Sequence, residues 1–218
     1  MDETGSRERR VRLLPARVVV YFVLALAFFE RSSCQAVWDK LCAQLGGIVV
    51  ARPCASSLSR ARRRLGSAPL RRLFEVLAGP VAARTQTASF YRGLRVVAVD
   101  GTTLSIPDEE TLTWRLPKHV GEVKEFGYPL LRLLALVECG STRALLGAAF
   151  SPDTTGELGY AHSLLHRLDR SMVLLADAYY DAFGFLEAVT GTGAAFLLRS
   201  TRGSGARRCA IFCRTART

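Results

Sequence analysis

Cysteine pairs, lysine and long apolar runs are what this sequence has least of. None of its six cysteines (Cys34, Cys42, Cys54, Cys139, Cys209 and Cys213) stands in a Cys-x-x-Cys pair, which excludes a zinc ribbon or a thioredoxin-like motif. Their scatter, with no signal peptide, points to free thiols in a reducing cytoplasm. The longest apolar stretch, residues 18–29, is bracketed by Arg17 and Glu30 and holds about a dozen residues, too few to cross a bilayer. The basic residues from Arg7 to Arg12 give it the look of a signal peptide. Glu30, Arg31, Ser32 and Ser33 follow where a small-residue cleavage site would stand, so a buried core helix is expected instead. Acid is also scarce, with 19 Asp and Glu against 30 Lys and Arg, a formal charge of +11. Only Lys40, Lys118 and Lys124 are lysines, so the positive charge is almost all arginine, whose flat fork suits phosphate. Such a balance favours a polyanionic partner, nucleic acid ahead of an anionic membrane surface.

What is present is a globular composition. With 49% hydrophobic and 22% charged residues the chain is not disordered, and 218 residues suffice for one large domain or two small ones. After a frayed start, residues 13–29 read as a helix with Pro15 in its first turn. Ser32-Ser33 is a break and N-cap before a second helix over residues 35–41, which Gly46-Gly47 ends. Residues 53–66 follow as a short helix opened by serine and closed by Gly66. Leu58, Ala61 and Leu65 form its apolar face, with Arg60, Arg62, Arg63 and Arg64 around them. A further helix covers residues 69–83, and a polar linker over 85–92 leads to a change of pattern from helical spacing to strands.

In the second half, residues 96–104 read as a strand and its turn, and 107–123 as irregular. Residues 129–138 and 143–150 form a hairpin about Gly140, and 156–168 a helix. Residues 173–177 are a strand, 181–190 a helix capped by Asp181, and 194–198 a last strand. That order predicts a mixed α/β sheet. Beyond Glu187 no acid follows. Residues 199–218 carry six arginines and little periodicity, and are expected to lie outside the sheet.

The short arginine helix, preceded by another helix and a tight turn, is what a helix-turn-helix reader needs, although its arginines can equally serve as phosphate contacts or a solvated face. The other informative feature comes twice. Val96-Val97-Ala98-Val99 ends in Asp100, with Gly101 providing a turn, and Val173-Leu174-Leu175-Ala176 ends in Asp177. A carboxylate leaving a buried strand is costly unless solvated, paired or holding a metal. Taken singly, each reads as a turn cap. A pair of them in a basic chain points to a divalent-metal site acting on nucleic acid, with Mg2+ preferring such hard oxygen ligands. The sequence does not show that the two strands are neighbours.

Val-Ala-Val-Asp-Gly-Thr around Asp100 and Leu-Leu-Ala-Asp-Ala-Tyr-Tyr around Asp177 resemble the insertion-sequence-four family of DDE transposases. The helix from Leu58 to Gly66 resembles that family's helical N-terminal domain, so the likeness spans about residues 12–200. It implies a small all-helical DNA-binding domain over 11–88. After it comes an α/β, ribonuclease-H-like catalytic part, incomplete, over 93–200, then an irregular basic tail over 201–218. It further implies Asp100 and Asp177 as catalytic metal ligands, Mg2+ as cofactor, and cleavage at the element's ends followed by attack of the freed 3′-hydroxyls on target DNA. Cytoplasmic location, no membrane, and association with itself or with a full-length transposase complete the expectation. Two departures stand out. Tyr179 replaces a glycine of the second motif, although Tyr180 keeps the aromatic. The family's third acid, a glutamate in a Tyr…Arg…Glu…Lys helix, has no counterpart here, since Glu187 is too close to Asp177. The ending therefore reads as truncated or frameshifted, and the protein as a catalytically impaired transposase.

The alternative is a non-catalytic DNA-binding protein that occupies element ends and inhibits the full-length enzyme. A basic membrane-surface module fits poorly with the interrupted apolar run and the acid-tipped strands. His162 and His166, one helical turn apart, lack the third ligand zinc would need and read as helix surface. Tyr179 and Tyr180 either stack on a base or pack beside the acids. Asp153 and Glu157 read as caps for the helix that begins near Gly156.

Overall fold

A computed structural model describes residues 3–6, 10, 12–43, 51–79, 87–113, 115–120, 125–140, 142–152, 154–200 and 208–212. The Gly46-Gly47 stop, the Asp153 cap and most of the basic tail fall outside them, and the helix expected over 69–83 ends at Leu77, with Ala78 and Gly79 already out of helical conformation. The chain divides into two compact units, Met1–Leu77 and Ala78–Thr218.

The first unit holds four helices: α1 (Ala16–Phe28), α2 (Cys34–Ala43), α3 (Ala55–Leu65) and α4 (Ala68–Leu77). Pro15 at the N-cap of α1 starts the helix where its missing N–H costs nothing. Ala16, Val19, Phe22 and Ala25 recur at three-residue spacing and form its buried stripe, which packs with Val37 and Trp38 of α2 and Leu58, Ala61 and Leu65 of α3. Phe22 meets the Trp38 ring edge-on at 6.0 Å. Each such large side chain contributes about 1.5–3 kcal/mol by leaving water. The apolar run is thus the spine of a small core, and no helix among the described residues is long and apolar enough to cross a membrane. Ser33 caps α2 through its Oγ, which accepts from Ala36 N–H at 3.2 Å. The expected serine cap of α3 is not formed: Cys54 occupies the N-cap, with its Sγ 3.2 Å from the hydroxyls of both Ser56 and Ser57. The extended Cys54 backbone after Pro53 moves the helix start one residue ahead of the serines.

The second unit is built on a mixed sheet. Its strands are β1 (Phe90–Tyr91), β2 (Leu94–Ser105), β5 (Leu130–Glu138), β6 (Leu145–Pro152), β7 (Met172–Ala176), β8 (Ala195–Ser200) and β9 (Arg208–Phe212). Between β2 and β5 lie a one-turn helix α5 (Glu110–Thr113) and a small ribbon of β3 (His119–Val120) with β4 (Glu125–Phe126). The sheet order is β6-β5-β2-β7-β8-β9, with β1 folded back on β2. β5 runs antiparallel to its neighbours β2 and β6, whereas β7 and β8 run parallel to β2. Helices α6 (Glu157–Leu164) and α7 (Phe183–Gly191) supply the crossovers, and Ala161, Leu164, Phe185 and Val189 bury against Val97, Leu134, Leu136 and Leu174. A two-residue turn, Arg92-Gly93, joins β1 to β2 with both residues at positive φ, the geometry that tight hairpins favour.

Three expectations need correcting. β2 does not stop at Asp100: it runs through Gly101 to Ser105, because β5 goes on supplying hydrogen-bond partners as far as Leu130. What ends near Asp100 is its pairing with β7, whose last matched pair is Ala98 with Leu175. The N-cap of α7 is Ala182 rather than Asp181, which closes the preceding 3-10 turn. Finally, the tail is not wholly irregular. Residues Arg208–Phe212 form β9 and pair antiparallel with β8, using the one short apolar run, Cys209-Ala210-Ile211-Phe212, that the arginine-rich tail contains.

Candidate functional site

The two acid-tipped strand motifs lie side by side because their strands are neighbours. Arg95 pairs with Met172, Val96 with Val173, Val97 with Leu174 and Ala98 with Leu175 in parallel register. Two residues further along each strand stand Asp100 and Asp177. Both are exposed, where the backbones of β2 and β7 part company. Asp100 keeps its strand hydrogen bonds on the β5 side, opposite Ala135, and its Oδ1 lies 2.8 Å from the N–H of Gly101. Asp177 caps the 3-10 turn Ala178–Tyr180 by accepting from Tyr179 N–H at 3.0 Å. The turn-cap reading is therefore correct for Asp177, and it leaves the other carboxylate oxygen of that residue without a part in the cap.

Two residues beside the acids carry little signal in the sequence. Gly101 has no Cβ, and one built there would come within 3.1 Å of Glu157 Cδ and 3.2 Å of Glu157 Oε1. Glu157, in the first turn of α6 rather than at its cap, thus lies directly against the strand one residue from Asp100. Tyr180, 2% exposed, packs its ring 5.5 Å from Phe185, and its hydroxyl is buried without a hydrogen-bond partner. Burial, then the charges of Glu157, Asp177 and Asp100, hold that phenol protonated well above the usual tyrosine range. Of the tyrosine pair, then, Tyr180 packs and Tyr179 stays half exposed. Among the described residues no group of three His, Cys, Asp or Glu side chains converges closely enough to hold an ion as it stands. His162 lies edge-on to Phe185 at 5.4 Å and His166 Nδ1 is 2.8 Å from the Ser163 carbonyl, so both serve the fold around α6.

In the first unit, α3 turns Arg60, Arg62 and Arg63 outward, all exposed. Arg64 is engaged within the unit, where its Nη2 donates to the Leu14 carbonyl at 2.7 Å and ties α3 to the segment that leads into α1. Arg60 donates to Ser57 Oγ at 3.2 Å and remains at the surface.

Residues 1–75 match the sequence family described as insertion element 4 transposase N-terminal. These matches support an insertion element 4 transposase. Over 127 residues, 57% of the chain, it is 32% identical to the putative transposase InsZ of Escherichia coli strain K12. Over 199 residues, 86% of the chain, it is 26% identical to transposase InsG for insertion sequence element IS4 of the same strain. It spans 42% of the length of each of these relatives. The matched N-terminal residues fall within the helical unit, and Asp100 on β2 and Asp177 just beyond β7 fall within the second unit.

Cys54 makes one prediction independent of the family. The hydroxyls of Ser56 and Ser57, the Ser57 N–H and, less strongly, Arg60 stabilise its thiolate and lower its pKa to about 6. Burial instead pushes the thiols of Cys42 and Cys139 up. Iodoacetamide is expected to alkylate Cys54 first at pH 7, with a rate that falls as pH drops through about 6. Peptide mass spectrometry across pH 5–9 reads this directly, and equal labelling of all three cysteines at pH 7 would contradict it.

Proposed function

We propose that this chain acts in DNA transposition. The α1–α4 unit holds element-end DNA, and a ribonuclease-H-like sheet presents Asp100 and Asp177 as ligands for divalent metal in strand cleavage and transfer. The observation that carries the reading is the parallel β2–β7 register, which brings two acids from distant parts of the sequence to one end of one sheet. An antiparallel trio, β6-β5-β2, continued by the parallel β7 and β8, supports the ribonuclease-H-like assignment.

Asp100 and Asp177 offer donors of the right kind for such an ion, while no third His, Cys, Asp or Glu side chain converges with them among the described residues. The donors are hard carboxylate oxygens, as Mg2+ prefers, and the missing Cβ of Gly101 leaves room for Glu157 beside them. The unpartnered Tyr180 hydroxyl adds a buried donor in need of an acceptor. Bound divalent ions supply activation of the attacking hydroxyl and stabilisation of the leaving oxygen. The strand pair fixes Asp100 from its β5 side, and the Asp177 cap fixes the second acid, so neither depends on a mobile loop for its position. Arg60, Arg62 and Arg63 take phosphates, which positions DNA without reading its sequence.

A nicking assay on element-end duplex with Mg2+ or Mn2+ tests this. Asp100→Asn and Asp177→Asn are each expected to reduce nicking to background while leaving DNA affinity within about twofold, since neither acid contributes phosphate contacts. Nicking that persists in both variants would overturn the metal-site reading. The second reading, a protein that occupies element ends without cutting them and restrains a full-length transposase, is favoured by the compactness of the helical unit on its own. DNA binding without nicking in the unaltered chain would establish it.

A further inference from the structure

The two ends of the sheet are unlike in charge. Asp100 stands on β2 beyond its pairing with β7, and Asp177 just past the end of β7, whereas the segments that enter these strands carry arginine. Arg92 is in the turn before β2, and Arg170 comes just before β7. Because β5 runs antiparallel to β2, the turn from β5 to β6 comes to this second end as well and brings Arg143. Backbone hydrogen bonds tie the three segments together there. The Arg95 N–H donates to the Ser171 carbonyl at 2.8 Å, and the Cys139 N–H donates to the Val96 carbonyl at 2.8 Å. β5, β2 and β7 are neighbours in the sheet. With strands about 4.8 Å apart, the arginines form a row across the sheet rather than a cluster about one point.

Three details set these arginines apart from a solvated rim. First, Arg92 and Arg143 both have φ of 48°, and among the described residues they are the two non-glycine residues in the left-handed region. Glycine or asparagine holds that conformation with less strain, and both arginines are exposed, so neither turn geometry nor packing calls for arginine. Strain kept at a surface position points to a task outside the fold. Second, the Arg92 guanidinium stands 5.6 Å from the centre of the Tyr91 ring, itself 53% exposed, and stacking on a ring face uses none of its N–H donors. Third, the acids nearby are already engaged: Glu138 is buried against Arg95, and Asp169 accepts from the Ser171 N–H at 2.7 Å. No ion pair among the described residues involves Arg92, Arg143 or Arg170. The same end holds a cavity of about 620 Å³ lined by Thr87, Phe90, Gly93, Arg95 and Ser171, so the surface there is hollowed.

We propose that the end of the sheet away from Asp100 and Asp177 is a second DNA surface, on which Arg92, Arg143 and Arg170 donate to backbone phosphates of a duplex. A guanidinium fork pairs with phosphate oxygens through two N–H groups, and a row of separate forks suits a line of phosphates better than one compact anion. Such contacts hold DNA without reading its sequence. This rests on the proposed function only in taking duplex DNA as the partner; neither the metal ligands nor α3 enter into it.

Fluorescence anisotropy with a labelled duplex, at several salt concentrations, tests it on the whole chain already carrying Arg60→Ala, Arg62→Ala and Arg63→Ala. Adding Arg92→Gly, Arg143→Gly and Arg170→Ala is expected to weaken the remaining affinity at least tenfold and to flatten the salt dependence by about 2.7 in log K per log salt. The melting temperature should stay unchanged or rise, because glycine accepts the φ that strains arginine, so the loss is not one of folding. Lysine at all three positions should restore most of the affinity. Residual binding within twofold of the α3 variant would overturn the second surface while leaving α3 as the DNA contact. If poly-L-glutamate competes as well as duplex at equal charge concentration, the row suits an acidic protein and the proposal fails. Should the unaltered chain bind no duplex at all, this surface and the proposed DNA-holding role of the helical unit fail together.

Discussion

Replacing Glu138 with alanine is expected to destabilise the sheet unit by about 3–5 kcal/mol, the usual cost of stranding one partner of a buried ion pair. Glu138 ends β5 with its side chain fully buried, and Arg95 of β2, 13% exposed, donates to its Oε1 at 2.8 Å. The second carboxylate oxygen accepts from Thr142, and the Glu138 N–H reaches the Ala144 carbonyl at 2.9 Å, closing the β5–β6 hairpin. The Arg95 guanidinium also lies 5.3 Å from the centre of the Phe90 ring. Alanine at 138 would leave that guanidinium without its anion in a poorly hydrated place. Glu138→Gln keeps an acceptor for the arginine and is expected to cost less than half as much. A paired Arg95→Met, Glu138→Leu replacement should recover most of the loss, because apolar groups need no partner there. Urea unfolding followed by circular dichroism measures all three. A cost below about 1 kcal/mol for Glu138→Ala would show the pair to be solvated in solution.

The second large effect concerns DNA. Changing Arg60, Arg62 and Arg63 together to alanine is expected to weaken binding to duplex DNA by about a hundredfold near physiological salt. It should also flatten the salt dependence by about 2.7 in log K per log salt, one counterion-release contribution per lost phosphate contact. All four arginines of α3 are exposed, and of them Arg64 is tied to the Leu14 carbonyl. Arg64→Ala is expected to lower the melting temperature of the helical unit, with a smaller change in slope. Fluorescence anisotropy at several salt concentrations separates the two. An unchanged slope for the triple variant would move the DNA contact away from α3.

Much of this molecule is legible in its sequence, for identifiable reasons. Helix α3 declares itself because Leu58, Ala61 and Leu65 keep helical spacing between Pro53 and Gly66. The β5–β6 hairpin follows from two apolar runs around Gly140. The run at residues 18–29 is core, as its length suggests, since Val19, Phe22 and Ala25 are buried while Tyr21 and Phe28 are exposed. What the sequence hides is partnership. It shows two strands tipped with acid, but the β2–β7 register depends on which strand lies next to which, and no local pattern carries that. It suggests a turn at Gly101, because glycine after an apolar run usually means one; in the structure Gly101 lies within β2, where a Cβ would come within 3.1 Å of both Leu134 and Glu157. Glu157 itself looks like an ordinary helix-start acid, and its nearness to Asp100 arises only once α6 packs over the sheet. The strand in the tail escapes a sequence reading because its five residues are outweighed by the arginines around them in the sequence.

That strand alters how molecules of this protein behave toward one another. With β9 in place, β8 is an interior strand, and its Ala195-Phe196-Leu197-Leu198 run has hydrogen-bonded neighbours on both sides. Without it, the apolar run of β8 would present an open row of N–H and C=O groups, a template for edge-to-edge aggregation. Residues Arg208–Phe212 thus act as a selvedge, finishing the fabric of the sheet with a strand that takes the open side of β8.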